Sequence, residues 1–183
     1  MSDSPASGVK QRDLLAVYCN DHLAASVGGI ELVRRMLHEH RTTDYEQPLE
    51  QLLGELREEK SSLESMMRGI AMPIRHYKIA AVWLGEKAAR LKLNGRLLSR
   101  SPLSDLVEFE FLASAVRAKR SGFETLRTVA EVEPRLPKAE IDRLIRQANR
   151  QFEWLSHTRR EVAAAVFGGD PTASEAAADA PPE

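Results

Sequence analysis

Apolar residues recur at every third or fourth position through most of this chain, and no stretch alternates apolar with polar residues in the Val/Ile/Thr-rich manner of a strand. That spacing gives a helix one apolar face, and a chain with several such faces buries them by packing helix on helix. The fold class read from the pattern is all-α: an antiparallel four-helix bundle with an additional fifth helix, because short connections set successive helices side by side. No longer period that would signal a solenoid is present.

The punctuation divides the chain into five helical segments. The first is expected from about Gln11 to His40, with Leu15, Tyr18, His22, Ala25, Ser26, Gly29, Val33 and Met36 on one face. The second follows Asp44, read as an N-cap with Gln47 three residues on, and carries Leu49, Leu52, Leu56, Leu63, Met66 and Ile70 as far as Pro73. The third spans Ile74 to Lys92 and stops at Asn94-Gly95; the fourth opens at Ser101-Pro102 and runs to about Val132, with a bend expected at Gly122. The fifth follows Pro137 and stops at Gly168-Gly169, with Ile141, Leu144, Ala148, Phe152, Leu155 and Val162 in its stripe. Residues 1–10 and 168–183 are rich in Ser, Ala, Pro and Gly with little to bury, so they are expected to be disordered tails around a single domain, 11–167.

A formal net charge of -1 gives the chain no overall attraction for nucleic acid or anionic membranes, so nucleic acid is not an expected partner. Charges interrupt every apolar run, so no membrane span is expected. The N-terminus lacks the cationic start and apolar run of a secretory signal, and the single Cys19 cannot form an internal disulfide; both suit a reducing, cytoplasmic setting.

Glycine-rich phosphate loops, Cys-x-x-Cys, His-Glu-x-x-His and Gly-x-Ser-x-Gly are all absent. What remains is a set of polar residues falling within apolar stripes, one per helix: His22, Glu59, Glu86 and Glu110. Unpaired charges buried in a bundle cost several kcal/mol each. These residues are therefore expected to form a paired or edge-exposed network with Lys60 and Arg90 and no cofactor. The alternative is that they converge on iron or manganese. A second candidate is the basic run Lys87, Arg90, Lys92, Arg96 and Arg100, which could receive an anion near the start of the fourth helix. Its plainer reading is charge complementarity to the second helix, which carries Glu46, Glu50, Glu55, Glu58, Glu59 and Glu64. Glu153, His157 and Glu161 form a ladder on the outer face of the fifth helix and read as a solvated ion-pair row.

Inward His and Glu residues on a helical bundle are similar to the ferritin-like superfamily, over roughly residues 11 to 166. The chain departs from that pattern by lacking both Glu-x-x-His units, so the resemblance implies the bundle rather than the oxidase chemistry. The strings Tyr18-Cys19-Asn20-Asp21-His22-Leu23-Ala24 and Leu91-Lys92-Leu93-Asn94-Gly95-Arg96-Leu97, with Ser101-Pro102-Leu103-Ser104, resemble a group of bacterial helical proteins that carries no assigned activity. The functional expectation is a non-catalytic ferritin-like binding or scaffold protein. Its expected partner is a protein or a second copy, met through the small residues Ala25, Ser26 and Gly29.

Overall fold

A computed structural model of the chain describes residues 5–75 and 102–168, and among them every regular element is a helix. These are α1 (Pro5–Glu39), α2 (Glu46–Gly69), α3 (Pro102–Val129) and α4 (Lys138–Phe167). The helix expected over 74 to 92, the candidate Glu86 and the whole candidate anion site at Lys87, Arg90, Lys92, Arg96 and Arg100 lie outside the described residues. No helix among the described residues is long and apolar enough to cross a membrane.

Local chemistry explains most of the boundaries. Proline heads α3, where its missing N–H and fixed φ cost nothing, and Pro137 immediately precedes α4. The α1 helix also begins on a proline, Pro5, rather than near Gln11, so residues 5–10 extend the helix instead of belonging to a tail. The expected cap at Asp44 is not made. The turn 40–45 is instead closed by Thr43 Oγ1 donating to the His40 carbonyl at 2.8 Å, and Glu46 in the first turn of α2 accepts the Thr42 N–H at 2.9 Å. At its other end α2 closes in a Schellman turn: Met72 N–H bonds the Met67 carbonyl and Ala71 N–H the Arg68 carbonyl, with Ala71 held at φ 54°. Asn20, fully buried on α1, fixes the departing strand of chain by donating to the Pro73 carbonyl at 3.0 Å and accepting from Arg75 N–H at 2.7 Å.

Cross-links define how the helices run. Arg12 near the start of α1 donates to the Ile70 carbonyl at the end of α2, so these two helices run in opposite directions. On α3, Thr125 meets Tyr18 of α1 while Glu108 meets Arg35, again an opposed pair. The α3 and α4 helices are opposed in the same way, through Arg127 with Asp142 and Glu110 with Arg159.

Two apolar clusters form the core. One gathers Val33, Met36, Leu49, Phe109, Leu112 and Leu155, and the other Cys19, Leu63, Met67, Phe123, Ile141 and Leu144. The stripe expected for α2 is buried throughout. That of α1 is rotated: Ala16, Cys19, Leu23, Ile30 and Val33 are buried, while Tyr18, His22, Ser26 and Gly29 are only partly covered. On α3 the buried face is Leu106, Phe109, Leu112, Val116 and Phe123, leaving Leu103 exposed. Gly122 does not break α3, which continues unbroken through it.

Candidate functional site

A belt of polar side chains separates the two apolar clusters. Glu59 occupies the stripe position of α2 between Leu56 and Leu63, and Lys119 the equivalent position of α3 between Val116 and Phe123. Their side chains form an ion pair across the bundle, with Glu59 only 2% exposed. From α4, Gln147 and Gln151 each donate to Glu59 Oε1 at 2.9 Å, and Lys119 donates to Gln151 Oε1 at 2.5 Å. Gln151 also donates to Glu55 at 2.6 Å, and Arg143 donates to Gln147 Oε1 at 2.9 Å. Both Glu59 oxygens are thus committed, and no buried side-chain nitrogen or oxygen among the described residues lacks a hydrogen bond. Burial pulls the Lys119 ammonium below the usual lysine range, and the adjacent Glu59 carboxylate opposes that shift.

Beside this belt lies a cavity of about 800 Å³, bounded by α1, α2 and α3. Its walls are mainly apolar, with Leu56 and Leu63 from α2 and Phe111, Leu112, Val116 and Phe123 from α3. The α1 wall carries Tyr18, His22 and the small residues Ala25, Ser26 and Gly29. A volume of that size, apolar with a few polar groups, is characteristic of small-molecule sites.

His22 lines the cavity with its ring directly over Gly122. A Cβ at Gly122 would stand 2.7 Å from the imidazole Cε1 and 2.9 Å from Nδ1, so any larger residue here would displace the ring. The ring packs edge-on against Tyr18 with centroids 4.6 Å apart. Burial lowers its pKa from the ordinary histidine value, with Asp21 acting in the opposite direction, so the imidazole is neutral at neutral pH. Gly122→Ala should therefore couple to His22. With the ring present, the methyl displaces it and cancels the helix-propensity gain. In a His22→Ala background the same change should stabilise the chain by about 1 kcal/mol in urea denaturation.

Among the sequence candidates, His22, Glu59 and Glu110 all border this cavity, yet they do not converge on one point. Glu110 is exposed and faces Arg159 at 3.2 Å, because α3 buries Phe109 and Leu112 on the adjoining face. The expected partner of Glu59, Lys60, instead pairs with Glu64 at 2.5 Å on its own helix, and Lys119 takes its place. Among the described residues no group of three or more His, Cys, Asp or Glu side chains is placed to hold a metal ion. The Cys19 thiol at the cavity edge is pushed up to about 11 by burial, so it stays protonated. His157 and Glu161 face each other at 3.4 Å on the solvent side of α4. Lys119, Gln147 and Gln151 are the site residues that the sequence reading missed; each occupies a stripe position beside residues that are buried.

No protein-family model, curated protein or solved structure matches the chain.

Proposed function

We propose that the chain is a non-catalytic binding protein of the cytoplasm, an antiparallel ferritin-like bundle with an additional helix, whose working part is the cavity between α1, α2 and α3. The observation that carries this reading is the cavity itself: about 800 Å³ of mainly apolar wall beside a belt of satisfied polar groups. Leaving so much apolar surface uncovered forfeits roughly 25 cal/mol for each Å² that a guest would remove from water. The reactive groups nearby support binding over chemistry. Glu59 is spent on Lys119 and two amides, Cys19 is held as a thiol, and Glu110 is turned to Arg159 at the surface.

The test uses the full chain and an uncharged fluorescent probe, N-phenyl-1-naphthylamine. Saturable binding of one probe per chain is expected. Gly29 lines the cavity, and a Cβ built there meets nothing within 4 Å, so Gly29→Phe should add a ring at the cavity wall from an uncrowded Cβ. That variant should bind the probe at least tenfold more weakly while melting no lower than the wild type, since replacing a mid-helix glycine favours the helix by a few tenths of a kcal/mol. Absence of saturable binding, or equal binding by Gly29→Phe, removes the reading.

A further inference from the structure

The polar groups around the cavity are nearly all engaged with one another. Glu59 and Lys119 neutralise each other at its floor, and Lys60 is paired with Glu64. The Tyr18 hydroxyl donates to Thr125 at 3.2 Å, and Ser26 donates to the Leu23 carbonyl at 2.6 Å. Among the lining side chains that are not exposed, His22 is the exception, while Asp21 and Ser114 are exposed at the rim. Half-buried in the wall, its imidazole packs against Tyr18 and Gly122 but makes no hydrogen bond to any described residue. A group in that position keeps one N–H donor and one nitrogen acceptor for whatever enters the space.

From this geometry we infer that the cavity takes an uncharged apolar molecule bearing a hydroxyl group, a long-chain or polycyclic alcohol, and that His22 is the side chain that hydrogen-bonds the hydroxyl. The inference rests on the cavity-binding reading above and adds the class of guest. Two features favour a hydroxyl over a charged head. The buried charges Glu59 and Lys119 compensate each other, Lys60 is paired with Glu64, and the one unpaired carboxylate of the lining, Asp21, is exposed to water, so a carboxylate or an ammonium carried into the apolar part would lose its hydration without a buried counter-ion. A hydroxyl, in contrast, both donates and accepts, matching the two functions of a neutral imidazole. Apolar side chains line the same cavity, among them Leu63, Phe111, Ala115 and Phe123, so a guest held at its polar group lies against hydrocarbon. Such a division, apolar area for affinity and one polar contact for orientation, is usual in small-molecule sites.

The experiment is displacement of N-phenyl-1-naphthylamine from the full chain by 1-decanol, decanoate and decyltrimethylammonium, with wild type, His22→Leu and His22→Gln. Decanol should displace the probe from the wild type at least fivefold more effectively than either charged amphiphile does. His22→Leu should weaken decanol about tenfold more than it weakens the probe, the size of one buried hydrogen bond. His22→Gln, which retains a donor and an acceptor, should recover most of the loss. In the wild type, decanol should also shift the His22 ring resonances in proton–nitrogen spectra. If the probe binds but decanol affinity is the same in all three proteins, or the charged amphiphiles bind as well as decanol, the hydroxyl inference is overturned and the cavity reading stands. If the probe does not bind at all, both are overturned.

Discussion

Replacing Glu59 with leucine should destabilise the chain by about 3–5 kcal/mol, the cost of leaving one member of a buried ion pair without its partner. Glu59 is 2% exposed, and its removal leaves the Lys119 ammonium between two apolar clusters with only the Gln151 carbonyl to accept from it. The amides of Gln147 and Gln151 lose their shared acceptor in the same step. Lys119→Met should cost less, because the Glu59 carboxylate keeps both glutamine donors. Combining the two changes should return much of the stability, since apolar side chains of similar volume avoid the desolvation that the pair must overcome. Recovery will stop short of complete, because Gln147 retains a buried N–H without an acceptor, at about 1–3 kcal/mol. Urea denaturation of the four proteins closes the cycle. Additivity within 0.5 kcal/mol would mean that the two residues do not act as a pair.

How much of this arrangement could be read from the sequence varies by helix. On α2 the apolar positions Leu49, Leu52, Leu56, Leu63, Met66 and Ile70 are separated by threes and fours with a single gap, and Glu59 fills that gap. One inward face follows from such spacing, and the burial of Glu59 follows from the face. Its partner was harder to find. Lys60 is adjacent in sequence, but neighbouring residues on a helix diverge by about 100°, which turns it towards Glu64. Lys119 carried the same signal as Glu59, a charge at stripe spacing between Val116 and Phe123. Gln147 and Gln151 likewise stand among Leu144, Ala148 and Leu155. A charge or amide in the middle of a clean stripe points to a partner in the middle of another.

On α1 and α3 the sequence permits more than one face. Residues 14 to 19 of α1 run Leu, Leu, Ala, Val, Tyr, Cys, and apolar residues on every side leave the rotation of the helix undecided until its neighbours are known. The structure buries Ala16 and Cys19, leaves Leu14 63% exposed, and turns Tyr18 and His22 to the cavity. The α3 helix offers both Leu103/Leu106/Val107 and Phe109/Leu112/Val116/Phe123. The face with the two phenylalanines takes the interior together with Leu106, because it removes more apolar area from water, and Leu103 is left exposed. That choice turns Glu110 to the surface and admits Lys119. It also places Gly122, read from the sequence as a bend, beneath the His22 ring; a contact between residues a hundred positions apart leaves no local trace.

Phe109→Ala should be the other severe substitution, at about 3–5 kcal/mol, and for a different physical reason. Phe109 is fully buried on α3 and meets aromatic rings from the turn before α2 and from α4. Its ring lies 5.3 Å from Tyr45 in the turn before α2, 6.0 Å from His40 after α1, and 6.1 Å from Trp154 on α4, with Tyr45 and Trp154 approached edge to face. Deleting the ring removes its transfer free energy and leaves a void that four helices, tied by ion pairs and turns, can close only in part. Phe109→Leu refills most of that void and should cost under about 1.5 kcal/mol. The two variants separate packing from location: if Phe109→Leu costs as much as Phe109→Ala, the aromatic contacts rather than the filled volume hold this end together. Phe109 does not line the cavity, so Phe109→Leu should bind N-phenyl-1-naphthylamine as the wild type does. A lost probe signal in that variant, with the helix content intact, would show that the packing around Phe109 sets the cavity wall at Leu56, Leu112 and Val116, which share its apolar cluster.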